Sequence, residues 1–142
     1  MAELQVWVFF YGSFMNRALL EQRGIVLAQL EVVRLPGYAI SIGPLANLTP
    51  SAADCVYGIL VRLTHRELDR LYANLPSAAT RYRPEAVLVQ TEARSWRPAL
   101  SYVDLPFEPA SPAPDYLEHI LSAAREYRFP DWYIQRLEAF RA

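Results

Sequence analysis

Tyr11-Gly12-Ser13-Phe14-Met15 is the stretch whose residue types and spacing could do chemistry. It follows the apolar run Val6 to Phe10, and a helical pattern, Arg17 to Gln22, comes after it. An apolar run closed by a glycine reads as a buried strand. Gly12 has no Cβ, so the chain can turn sharply there and approach a ligand closely. The N–H groups after it, at the start of a helix, are free to hold an anion or a developing oxyanion. An ordinary strand-to-helix turn has the same pattern, since a single glycine is a weak fingerprint. Ser13 lacks a Gly-x-Ser-x-Gly context and an evident His partner. It therefore reads as a helix cap, and secondarily a ligand contact, rather than a nucleophile.

Other reactive types are sparse. His65 and His119 fall at a helix start and on a helix, with no partner at metal-ligand spacing, so no metal is expected. Cys55 is the single cysteine and cannot form an internal disulfide. It precedes a strand pattern and reads as a small buried apolar residue. Glu67 and Asp69 lie on a capping turn, where carboxylates serve a helix N-terminus. Asp54 reads as a turn residue. Asn47 either caps a turn or lines a pocket, and the sequence leaves both open. Trp7, Trp96 and Trp132 read as core or rim aromatics rather than stacking platforms.

The elements that must position these residues follow from periodicity and breakers. Gly37 to Ile42 reads as a strand ended by Gly43-Pro44, and Ala46 to Ala52 as a loop. Val56 to Leu63 is the strongest central strand. Thr64 and Glu67 form a capping box before a short helix with Leu68, Leu71 and Tyr72 on one face, ended by Pro76. Tyr82 to Thr91 and Ala99 to Val103 read as strands joined by a turn, Ala93 to Arg97. Leu105 to Pro114 carries four prolines and reads as a stiff, packed strap. Asp115 starts a helix with Leu117, Ile120, Leu121 and Ala124 at core spacing. Phe129-Pro130 breaks it, and a last helix follows through Tyr133, Leu137 and Phe140. Strands dominate, so the expected fold is α+β: a small mixed β-barrel or curved sheet packed by a few helices.

Bulk properties set the class. A chain of 142 residues, 53 % hydrophobic and 20 % charged, is expected to form one globular domain over residues 1–142. A net charge of −1 gives no basic field for nucleic acid or an anionic membrane. The apolar runs are too short to span a bilayer. The lone cysteine fits a reducing, cytoplasmic setting. All 14 basic residues are arginine, which fits a bacterial genome of high GC content.

Read together, four stretches resemble the gamma-glutamylcyclotransferase-like family. Tyr11-Gly12-Ser13-Phe14-Met15 is similar to its opening Tyr-Gly-Ser loop. Ala46-Asn47-Leu48 with Val56-Tyr57-Gly58-Ile59-Leu60 is similar to its central stretch. Leu68-Asp69-Arg70-Leu71 through Tyr82-Arg83 resembles the helix and strand that normally carry "Leu-Asp-x-x-Glu-Gly … Tyr-x-Arg". Ser111-Pro112 through Tyr133 resembles its C-terminal helical tail.

The resemblance implies a reaction in which the α-amine of a γ-glutamyl compound attacks its own γ-carbonyl. The products are 5-oxoproline and a released amine. No cofactor is implied. The partner is a small γ-glutamyl or amino-acid-like ligand, bound by Tyr11, Gly12, Ser13, Phe14, Met15, Leu75 and Tyr82. Backbone donors would hold the oxyanion, and a glutamate would deprotonate the ammonium. Aligned without a gap between Leu71 and Tyr82, Tyr72 stands at the family's Asp, Leu75 at its catalytic Glu and Pro76 at its Gly. Leucine cannot accept a proton. The expectation is a ligand-binding or catalytically impaired homologue. Two alternatives stand beside it. One is an active enzyme whose base has moved, with Glu85 as the candidate if Pro84 introduces a bulge. The other is a protein-interaction domain with a closed pocket.

Overall fold

In the computed structural model, which describes residues 3–73, 82–104 and 110–141, β1 (Gln5–Phe10) lies between two other strands. It pairs antiparallel with the second half of β3 (Ala46–Thr64) along its whole length, Gln5 opposite Thr64 through Phe10 opposite Ile59. On its other side it runs parallel to β5 (Trp96–Val103), registered at Val8 and Leu100. β2 (Glu31–Ile42) pairs with β3, and β4 (Arg83–Thr91) pairs with both β2 and β5. The order β1-β3-β2-β4-β5 thus curves round on itself into a mixed barrel, with a narrow seam between β5 and β1.

Two prolines shape the long β2–β3 hairpin. Its register breaks between Pro36 and Tyr38, where Gly37 takes a φ of +89° that side-chain-bearing residues rarely adopt. Pro50, opposite Tyr38, sits beside this irregularity, the kind of place where strands accommodate proline. Residues 46–52, expected to be a loop, are therefore strand. Ala46 through Pro50 pair with Ile42 through Tyr38, and cross-strand bonds outweigh the local preference of Pro and Asn for turns. Asp54 also lies within β3, not in a turn, where it accepts from Ser51 Oγ at 2.5 Å and from Arg136 Nη1 at 2.9 Å.

Gly58 explains how β1 and β3 approach so closely. A Cβ there would stand 2.2 Å from the Phe10 carbonyl oxygen and 2.6 Å from the Phe9 ring. No rotamer relieves a clash with backbone.

The helices cover the barrel. α1 (Arg17–Gln22) is short. α2 (His65–Ala73) opens with the expected capping box: Thr64 N donates to Glu67 Oε1 at 2.9 Å and Glu67 N to Thr64 Oγ1 at 3.1 Å. α3 (Pro114–Glu126) buries Leu117, Ile120, Leu121 and Ala124. It ends in a Schellman closure, Phe129 N to Ala124 O at 3.0 Å and Arg128 N to Arg125 O at 3.1 Å, with Arg128 at φ +57°. α4 (Asp131–Glu138) buries Tyr133 and Leu137, and the Tyr133 ring meets Tyr57 of β3 with centroids 5.2 Å apart. Among the described residues no helix is long and apolar enough to cross a membrane.

Candidate functional site

The site begins where β1 runs out. Tyr11 is buried, and its hydroxyl donates to the Tyr102 carbonyl at 2.7 Å, fixing the strand end to β5. Gly12 has a φ of −112°, so its role is space rather than left-handed backbone. A Cβ there would stand 3.1 Å from Ala46 Cβ and 3.6 Å from the Tyr116 hydroxyl. Ser13–Met15 form one 3-10 turn, closed by Met15 N to Gly12 O at 3.1 Å and Asn16 N to Ser13 O at 2.9 Å. Among the described residues the N–H groups of Gly12, Ser13 and Phe14 meet no protein acceptor. Three donors in succession make an anion- or carbonyl-binding concavity. Asn16, not Ser13, caps α1, accepting from Ala18 N at 3.0 Å and Leu19 N at 3.4 Å. Its Nδ2 donates to the His119 carbonyl at 3.2 Å and ties the turn to α3.

Beside this turn lies a cavity of about 260 Å³. Tyr11, Tyr72, Tyr82, Tyr102 and Tyr116 line it, five of the nine tyrosines in the chain. Two of them clamp one residue: Tyr116 Oη accepts from Ala46 N at 2.8 Å and Tyr82 Oη donates to Ala46 O. Tyr72 and Tyr102 stack nearly parallel, centroids 3.8 Å apart and planes 14° apart. Phe14 meets Tyr72 edge-on at 5.5 Å, and the Arg23 guanidinium lies over the Phe14 ring at 5.5 Å. Burial pushes the phenols of Tyr11, Tyr72, Tyr82 and Tyr116 above their ordinary value. Tyr102 is also raised, by burial and then by the charge of Asp69. All five are neutral at pH 7, so none is a phenolate base. Among the described residues the lining includes no Asp or Glu; its basic side chains are Arg23 and His119.

A model of the AIG2-like family matches residues 55–137. The chain belongs to the AIG2-like family. Among solved structures, a gamma-glutamyl cyclotransferase superposes with a TM-score of 0.85 at 24 % identity, covering 96 % of this chain and 88 % of that one. YkqA from Bacillus subtilis gives 0.82 at 22 % identity, over 96 % of this chain and 54 % of that one. A yeast gamma-glutamyl cyclotransferase specific to glutathione gives 0.65 at 13 %, over 96 % and 97 %. No curated protein matches. At these identities the likeness is one of fold. This AIG2-like chain has the gamma-glutamylcyclotransferase-like α+β fold, as its sequence pattern led us to expect.

Of the residues expected at the site, Tyr11, Gly12, Ser13, Phe14 and Tyr82 meet at the cavity. Met15 does not: it is fully buried beneath the turn, and its carbonyl accepts from Tyr127 Oη at 3.1 Å. Leu75 and Pro76 lie outside the described residues, as does the first half of the Leu105 to Pro114 strap, 105–109. Glu85 is exposed on β4, opposite Ser101, and is absent from the cavity wall. The β4–β5 register runs regularly through Pro84, so no bulge turns Glu85 towards Tyr82.

Asn47 neither caps a turn nor lines the cavity. Its amide brackets Asp104, donating to the carbonyl and accepting from the N–H, both at 3.0 Å. His119, placed by the sequence on a helix with no metal-ligand partner, is exposed on α3 and stands at the cavity rim. Sequence reading also passed over Tyr72, Tyr102, Tyr116 and Arg23 as site residues. The one available signal was Tyr72 at the family's Asp position.

Proposed function

We propose that this is a gamma-glutamylcyclotransferase-like binding protein. Its cavity takes a small γ-glutamyl or amide-type ligand and turns it over poorly or not at all. The observation that carries this is the composition of the wall. Donors that could receive a γ-carbonyl oxygen are in place on the Gly12–Phe14 turn, while no carboxylate stands among the described lining residues. Cyclisation needs both. The oxyanion forms as the amine attacks, and the attacking ammonium must first lose a proton, since only the neutral amine is a nucleophile. With neutral tyrosines around the cavity and Leu75 at the family's glutamate position, the first requirement is supported and the second is not. Losing a positioned general base costs about 10²–10⁴-fold in rate.

An open cavity counts against the closed-pocket alternative, and an exposed Glu85 counts against a relocated base. The test is 5-oxoproline release from a panel of γ-glutamyl amines and dipeptides by the native chain and by Leu75→Glu. A silent native chain with activity gained in Leu75→Glu supports the proposal. Native turnover that Glu85→Gln abolishes would overturn it in favour of a moved base.

A further inference from the structure

One wall of the cavity carries a guanidinium with nothing to hold. Resting on the reading above, we infer that Arg23 anchors a carboxylate of the ligand while the Gly12–Phe14 turn receives its amide carbonyl. Phe14 joins the two halves of this site: its N–H belongs to the turn, and its ring carries the Arg23 guanidinium at 5.5 Å.

Backbone bonds fix where Arg23 stands. It closes α1, its N–H donating to Leu20 O at 3.0 Å, and Gly24 follows at φ +78°. Ile25 N also returns to Leu20 O, at 2.9 Å, and Arg70 Nη1 of α2 donates to Gly24 O at 3.3 Å. The platform beneath the side chain is fixed too, since Phe14 packs edge-on against Phe10 at 5.8 Å and Tyr72 at 5.5 Å. Stacking uses the face of a guanidinium and leaves its N–H edge for in-plane acceptors. Arg34, Arg70 and Arg136 each turn that edge to a protein acceptor. Arg23, half-buried at the cavity wall, meets none among the described residues. An unused fork of this kind matches a carboxylate, which accepts two parallel N–H bonds.

Negative charge acts on the tyrosines instead. Burial is the largest cause of their raised phenols, and beyond it Asp69 acts on Tyr102 and Asp104 on Tyr11 and Tyr82. A ligand carboxylate is repelled by these charges and attracted by Arg23, and an ammonium on the same ligand is drawn the other way. The charges thus orient a γ-glutamyl head. Two carboxylates have the chemistry that Arg23 recognises: the one on the α-carbon, and the second that a γ-glutamyl amino acid carries on its amine half.

The test is calorimetric titration of the whole native chain, Arg23→Gln and Arg23→Lys with three ligands. γ-Glutamylglycine has both carboxylates, γ-glutamylmethylamide only the α-carboxylate, and 4-aminobutyryl methylamide neither. Arg23→Gln is expected to weaken γ-glutamylglycine about ten-fold or more and the carboxylate-free amide by less than about two-fold. Arg23→Lys, which keeps the charge without the fork, should recover part of that loss. A matching loss for γ-glutamylmethylamide assigns the α-carboxylate, and a loss confined to γ-glutamylglycine assigns the carboxylate of the amine half. Unchanged binding of γ-glutamylglycine by Arg23→Gln, or an equal loss for the carboxylate-free amide, would overturn the inference and leave the γ-glutamyl reading intact. If none of the three binds the native chain, the γ-glutamyl reading itself falls and this inference with it.

Discussion

Replacing Asn47 by Ala should destabilise the protein more than any other single polar truncation away from the cavity. Asn47 is 2 % exposed and Asp104 7 %, so water does not readily replace the two lost bonds. The Asp104 N–H and C=O, each at 3.0 Å from the Asn47 amide, would be left without that partner. A buried polar group stripped of its partner costs about 1–3 kcal/mol, so the pair costs about 2–6 kcal/mol. Domains of this kind have about 5–15 kcal/mol in total. At this size each kcal/mol moves Tm by roughly 3–5 °C, which gives a drop of about 6–30 °C.

The readout is a thermal or urea melt followed by circular dichroism. The control is Ser41→Ala, because Ser41 Oγ makes only a 3.5 Å contact to the Asn47 carbonyl and should change stability by less than about 0.5 kcal/mol. The bracket also joins the start of β3 to the end of β5 beside Ala46. Ligand affinity should therefore weaken along with stability. A loss below about 1 kcal/mol for Asn47→Ala would refute the assignment of Asn47 as the tie between these strands.

Other changes have defined outcomes. Gly58→Ala drives a methyl to 2.2 Å from the Phe10 carbonyl, so it should cost about 3 kcal/mol or more and yield little folded protein; a melt within 2 °C of wild type, on the order of 0.5 kcal/mol, would contradict the close approach of β1. Arg94 and Arg128 sit at φ +64° and +57°, one in the β4–β5 turn and one at the α3 closure. Glycine at either site should raise stability by about 0.5–1 kcal/mol, measured as a shift in the urea midpoint without a change in slope. Burial raises the folded-state values of Tyr11, Tyr72, Tyr82, Tyr116 and Tyr133 above the unfolded value of about 10. Their contribution is complete below pH 10 and lost as pH rises beyond it. Phenolate absorbance of this buried set should appear only together with loss of the circular dichroism signal, and ionisation of all nine tyrosines in a still-folded protein would refute the burial.

What could be read from the sequence was local. The β1 run, the break at Gly12, the Thr64–Glu67 capping box and the Leu117, Ile120, Leu121, Ala124 stripe all depend on residues within one or two turns of each other. Side-chain period and capping chemistry are properties of such short stretches. The family pattern was legible for the same reason, as a series of short signatures in order.

What tertiary structure alone decided was non-local. Ala46 to Ala52 became strand because Tyr38 to Ile42 lay alongside to take its hydrogen bonds. Glu85 lies outside the cavity wall because the β4–β5 register stayed regular through Pro84. Asn47 found a use neither expectation contained, across a gap of 57 residues. The tyrosine wall gathers positions 11, 72, 82, 102 and 116 from separate parts of the chain. A single tyrosine reads as packing wherever it stands, and five become a site only when the barrel closes and brings their rings together. Backbone pairing and burial are settled between segments, and the preferences of any one segment do not contain them.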